Sequence, residues 1–232
     1  MIVPVNMVLV GQVAPLGEDA VPSGIDKHPV ERAVFLRKDG LEGDAQGDRK
    51  HHGGADKALH HYAFDHYAAW RMEVGNSPVL HAPGAFGENI STLSMDENTV
   101  AIGDIFRFGD AVIEVSQGRQ PCWKLNTRFG VSDMAKRVQK SGRTGWYYRV
   151  LEEGRVAPGV ELRLIDRRSL EWPLRRLWRT LYVDTLNYDE LTAMAALPHL
   201  PESWRRYASQ RLKNRKVEDW SRRLTGKVRA AG

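Results

Sequence analysis

The 232-residue chain carries one cysteine and eight histidines, and its chemistry-bearing side chains gather in a few glycine-rich stretches. Cys122 lies in Gln117-Gly118-Arg119-Gln120-Pro121-Cys122-Trp123-Lys124-Leu125-Asn126. Arg119 and Lys124, if they approach the sulfur, stabilise a thiolate, the form that attacks electrophiles and binds soft metals. A lone free cysteine equally serves as a small buried hydrophobe, and Pro121 restricts the backbone before it in a ligand loop or any other. A second stretch, Gly43 to Tyr62, contains Asp48-Arg49-Lys50-His51-His52-Gly53-Gly54 and Asp56-Lys57. There, a glycine pair among cations lets backbone amides and charges converge on an anion such as phosphate, the plain alternative being a solvated turn. His51-His52 and His60-His61 are adjacent pairs, and neighbours on a strand point to opposite faces, so at most one of each pair serves a given site and zinc is disfavoured. Asn89, in Gly84-Ala85-Phe86-Gly87-Glu88-Asn89, offers a ligand both a donor and an acceptor, or else forms an Asx-type turn. Arg143, between glycines in Ser141-Gly142-Arg143-Thr144-Gly145, has the fork geometry to hold a phosphate or carboxylate.

These loops need a scaffold, and up to Asp166 the apolar residues come in short runs broken by Gly, Pro and Asp, the mark of strands. Val100-Ala101-Ile102, Ile105 to Phe108 and Ala111 to Val115, divided by Gly103-Asp104 and Gly109-Asp110, predict a meander. Further strands are expected at Val8–Val13, Val30–Leu36, Trp146–Leu151 and Val160–Ile165, with helices at Asp65–Val74 and, after Ser132 as a cap, Asp133–Lys140. Beyond Asp166 the period becomes helical: Leu174, Leu177, Trp178 and Leu181 form one stripe, Trp204, Tyr207, Ala208 and Leu212 another, and Val217, Trp220 and Leu224 a third. Asn187 and Glu190 have the spacing of a capping pair. The expected organisation is a mainly β domain over residues 1–166, its core from about 30, followed by a small α-helical bundle over 167–232.

Composition narrows the classes. With 42% hydrophobic and 27% charged residues the chain is an ordinary globular protein. No apolar run approaches the roughly 18 residues of a membrane span and the opening residues lack a leader's pattern, so a cytoplasmic protein is expected. One thiol excludes an intramolecular disulfide, a cysteine zinc finger and an iron–sulfur cluster held by its own four thiolates. No dinucleotide fingerprint or P-loop is present. The net charge of +5 is uneven: from Arg167 onward 15 Lys and Arg meet 7 Asp and Glu, a net of +8, which suits an acidic partner.

Taken in order, Gly43-Asp44, Asp48 to Gly54, Asp56-Lys57-Ala58, His61-Tyr62, Trp70, Phe86-Gly87-Glu88-Asn89, Gly103-Asp104 and Pro121-Cys122-Trp123-Lys124-Leu125 resemble the MOSC-domain family, and within it the YiiM type. The resemblance spans nearly the whole chain. The C-terminal helices, ending in Lys216 to Leu224, are similar to that subgroup's three-helix module. The resemblance implies a MOSC-type β-barrel with helical insertions that binds a molybdenum-pterin (molybdopterin-type) cofactor through a cysteine ligand to the metal, here Cys122. It also implies reduction of N-hydroxylated compounds, such as N-hydroxylated purine bases, to amines. In that scheme His51, Gly53, Gly54, Lys57, Arg119, Lys124 and Arg143 contact the cofactor, Asn89 bonds near the metal or substrate, and His52 or His61 relays protons. Because the chain holds no redox group of its own, electrons must come from a separate reductase or carrier protein. The rival readings are a non-catalytic cofactor or sulfur-carrier protein, a pyridoxal phosphate protein with Lys57 or Lys124 as the only lysines marked by position, and a nucleic-acid binder using Arg205, Arg206, Arg211 and Arg215 with Trp204 and Tyr207. The last is disfavoured, because those aromatics lie on an apolar helical stripe.

Overall fold

In the computed structural model, residues 1–47, 53–75 and 77–226 are described. Among these, strands β1 (Ile2–Pro4), β2 (Met7–Val10), β3 (Ala14–Leu16), β4 (Val21–Ser23), β5 (His28–Pro29), β6 (Val34–Arg37), β7 (Gly40–Leu41), β8 (Leu59–Ala63), β9 (Ile90–Thr92), β10 (Asp104–Phe108), β11 (Ala111–Gly118), β12 (Trp146–Glu152), β13 (Gly154–Val156) and β14 (Glu161–Arg167) follow in chain order. Nine form one sheet in the order β1-β14-β10-β11-β12-β8-β9-β2-β5. The named pairings are antiparallel except β8 with β9. The segment Ile2–Val10 pairs with β14 through β1 and with β9 through β2, positions far apart along the sheet. Two residues separate Pro4 from Met7, three Cα steps that reach about 11 Å at most, so the sheet curls strongly on itself. Hydrogen-bonded closure into the expected barrel is not among the pairings of the described residues.

The expected β10–β11 hairpin forms around Gly109-Asp110, with Phe108 opposite Ala111. Val100–Ile102 is not a third strand: it contributes one bridge, Ala101 to Pro173. The alternation in β14 is as its sequence dictates, with Leu162 buried between exposed Glu161 and Arg163. The helices are α1 (His66–Val74), α2 (Lys124–Phe129), α3 (Met134–Ser141), α4 (Leu174–Tyr182), α5 (Tyr188–Ala195), α6 (Glu202–Asn214) and α7 (Ser221–Thr225). Asn187 caps α5 as its spacing predicted, accepting from the Glu190 amide at 3.2 Å, whereas α3 starts after Asp133 rather than Ser132 and has no side-chain cap. The last apolar stripe becomes only the short α7. No helix among the described residues is long and apolar enough to cross a membrane.

The main core joins Phe106, Ile113, Val115 and Tyr148 of the sheet to Leu174, Leu177, Leu181, Leu191, Met194 and Trp204 of the C-terminal helices. Arg211, one of the arginines of the nucleic-acid reading, is fully buried: it donates to the Leu181 and Thr185 carbonyls at 3.0 and 3.3 Å and pairs with Glu218 at 2.7 Å. A second cluster, with Tyr62, Trp70, Phe86, Leu125 and Met134, holds α1, α2 and α3 against the Gly84–Gly87 loop.

Candidate active site

Strand register sets the first residues of the site. His60 lies opposite Tyr147 and His61 opposite Trp146, so the two histidines face opposite ways. Leu59, His61, Trp146 and Tyr148 turn into the core, while His60 and Tyr147, with ring centroids 4.9 Å apart, line a cleft. The loop after β11 brings Arg119, Cys122 and Lys124 to this cleft, the turn at Ala55–Lys57 brings Lys57, and the loops around Asp44 and Phe86–Asn89 complete it with Lys27. It encloses about 580 Å³ of empty space, part of it open to solvent.

Two buried polar atoms on the lining residues, His60 Nε2 and Arg119 Nη1, have no hydrogen-bond partner. Leaving such groups unmet costs about 1–3 kcal/mol each, a cost that a polar ligand in the cleft would offset. Burial, reinforced by the Arg119 charge, holds His60 well below the usual imidazole range, so its ring is neutral at pH 7. Burial pushes the Tyr147 hydroxyl up, although its hydrogen bond with Arg119 works the other way. Cys122 is 9% exposed and free. Lys124 Nζ donates to the Pro22 carbonyl at 2.8 Å, which ties the cysteine loop to β4.

A polar network lies beside these residues in the cleft lining. Asp44 accepts from Lys27 Nζ, from the Gly11 amide at 2.8 Å and from Asn89 Nδ2 at 2.9 Å. Asn89 also donates to the Leu9 carbonyl at 3.2 Å and accepts from the His60 amide at 3.0 Å. Desolvation lowers the Lys27 pKa, and Asp44 counters it. Glu88, fully buried, accepts from Tyr67 and from the Gly84 and Phe86 amides at 2.7 and 3.0 Å, which shapes the loop carrying Phe86. Gly87 has φ +74°, and a Cβ there would fall 2.9 Å from Ile25, so both conformation and space require glycine.

Of the expected site residues, the cleft gathers Cys122, Asn89, Lys57, Arg119 and Lys124. Two stand elsewhere. His61 is fully buried on the core face, its ring nitrogens 3.0 Å from the Tyr148 hydroxyl and 2.9 Å from Thr92 Oγ1, and burial lowers its pKa to about 3. With both nitrogens engaged away from the cleft, it is not placed to relay protons there. Arg143 stacks 3.7 Å from the Trp70 ring centroid and pairs with Glu73 at 2.5 Å, bracing α1 rather than lining the cleft. Gly53 and Gly54 lead into the Ala55–Lys57 turn and are not among the lining residues. His51 and His52 lie outside the described residues. Sequence reasoning missed His60, Lys27 and Tyr147. The first was legible as the alternate member of a pair; the other two reach the cleft only through strand pairing and loop folding.

Comparison with known proteins shows the family. Residues 48–163 match the MOSC domain and residues 172–215 the YiiM-like 3-alpha helix domain. The chain belongs to the MOSC family, of the YiiM type. It is 41% identical over 209 residues to the protein YiiM of Escherichia coli, covering 89% of this chain and 92% of that one. The crystal structure of E. coli YiiM superposes with a TM-score of 0.78 at 36% identity, covering 92% of this chain and 98% of that one. A protein of Gibberella moniliformis named reductase is 37% identical over 179 residues, 77% of this chain but 32% of its own length. MOSC domains are generally associated with the molybdenum cofactor.

Proposed function

We propose that this protein is a cytoplasmic molybdenum-dependent reductase of N-hydroxylated compounds, such as N-hydroxylated bases, working with a separate electron donor. The observation that carries the reading is the meeting of the sole thiol with Arg119, Lys124 and the unpartnered His60 Nε2 in one cleft. That donor set fits a molybdenum-pterin group: a single soft sulfur suits a metal whose other ligands arrive with the cofactor, and Lys57, Arg119 and Lys124 suit its anionic part. When bound, the cofactor supplies two-electron reduction with removal of the hydroxyl oxygen.

The chain's own residues then have separable tasks. Cys122 holds the metal. Arg119 and Lys124 line the same cleft as the sulfur, and Arg119 Nη1 has an unused donor for the ligand. Neutral His60 presents Nε2 to a polar group in the cleft, and the Tyr147 ring packs against it. Asn89 holds the backbone of His60 in place through its amide hydrogen bond. The reductase name of the Gibberella relative supports the redox class.

Molybdenum content tests the reading, measured by elemental mass spectrometry after expression in a host that makes the cofactor, beside Cys122→Ala. Near-stoichiometric metal in the wild type and little in the variant is expected, together with turnover of an N-hydroxylated base when an electron donor is supplied. Stoichiometric binding without turnover would favour a carrier, and no molybdenum in either protein would overturn the reading.

A further inference from the structure

The segment after the three-helix match is the part of the chain that grips the cysteine loop from outside. Residues 216–226 lie beyond both matched regions, 48–163 and 172–215. Yet the Arg223 guanidinium donates through Nη1 to the carbonyl of Pro121, the residue before Cys122, and through Nη2 to Gln139 Oε1 on α3 at 2.5 Å. The amide of Trp123, the residue after Cys122, donates to the Arg223 carbonyl at 2.8 Å, so one residue holds the loop on both sides of the thiol. Asn126 Nδ2 adds a bond to the Leu224 carbonyl at 2.9 Å. Gly226 lies so close over Trp123 that a Cβ there would fall 3.0 Å from the indole, and Gln120 Nε2 donates to the Tyr182 hydroxyl of α4 at 3.1 Å. Arg223 itself rests on Trp220, 4.9 Å from its ring centroid.

We propose that Arg223 is a positioning residue for Cys122, and that the α7 segment serves as the outer half of the cysteine loop. The physical argument is one of constraint. Between β11 and α2 the loop offers few backbone bonds of its own, and a charge-assisted bond to the Pro121 carbonyl, anchored at the other fork of the same planar group, fixes both the position and the orientation of that peptide. A lysine ammonium is a single point of charge with rotatable donors, so it does not set the two fixed directions that the planar guanidinium gives to Pro121 and Gln139.

The inference rests on Cys122 being the functional thiol, but its test needs no molybdenum. Because Cys122 is the sole cysteine, the rate of its alkylation by iodoacetamide in the metal-free full-length protein, followed by mass spectrometry, reports on this one loop. Arg223→Gln is expected to raise the rate at least threefold, Arg223→Lys to recover only part of the difference, and Arg222→Gln on the exposed side of α7 to leave it unchanged. Gln139→Leu removes the far anchor while leaving the tail intact and is expected to raise the rate about twofold, a result that stands even if Arg223→Gln does not fold. Leu224→Ala loosens the same segment without touching the guanidinium. An unchanged rate in both Gln139→Leu and Arg223→Gln, or an equal rise in Leu224→Ala at the same loss of melting temperature, overturns the proposal. Metal loading of the wild type, measured separately, bears only on the reductase reading.

Discussion

His60 and His61 show how one residue of register separates two chemistries. His60 faces a cleft with a bare nitrogen, whereas His61 is sealed in the core between Tyr148 and Thr92. The folded pKa of His61, about 3, lies below the ordinary 6.5. In the window between these values the unfolded chain therefore binds a proton that the native state does not, and stability is lost as pH falls through it, by about 1.4 kcal/mol per pH unit at most. Urea unfolding at pH 7 and pH 5 is expected to show a shallower pH dependence in His61→Asn than in the wild type; equal slopes would show that His61 does not contribute. At the cleft, His60→Phe keeps a ring of similar size but removes Nε2, and a drop of about tenfold or more in the proposed reductase activity, with the fold retained by circular dichroism, is the expected outcome.

Elements bring these residues together, and Asn89 is where several of them meet. The short β9 begins at Ile90, and Asn89 beside it ties the β2 carbonyl of Leu9, the β8 amide of His60 and the Asp44 carboxylate. Read in sequence as a ligand contact, it has the bonding pattern of a pin between strands. Asn89→Ala leaves the Leu9 carbonyl and the His60 amide without their Asn89 partner, while Asp44 keeps Lys27 and Gly11, and a loss of about 2–4 kcal/mol is expected in denaturant titration. Less than about 1 kcal/mol would mean that the wall holds without it. The β10–β11 hairpin and the amphipathic α4 were legible because their periods, 2 and 3.6, are written locally. Val100–Ile102 misled because a run of β-prone residues also suits a buried linker, here held by the amide of Ile102 donating to the Trp172 carbonyl.

At the scale of the molecule, the C-terminal helices share one apolar core with the sheet, and Trp204 is buried in it rather than free to stack on a base. Calorimetry is expected to show one cooperative transition for the whole chain, and two separated transitions would mean that the helical part folds by itself. The basic excess after Arg167 is also partly met by acids of the β-rich part, since Arg167 pairs with Asp104 and Arg168 with Glu114. A donor protein of acidic surface would therefore meet a weaker field than the formal charge suggests, though its association should still weaken as salt rises. By itself the sequence determined the β-then-α order, the family, and the loops whose residue types could serve a thiolate and an anion, because composition, period and motif are local properties of a chain. Tertiary structure alone decided that His60 and not His61 faces the cleft, that Arg143 braces a helix, and that Arg223 reaches Pro121. Each of those depends on which strand or loop lies opposite, and strand pairing and packing between distant segments set that partner.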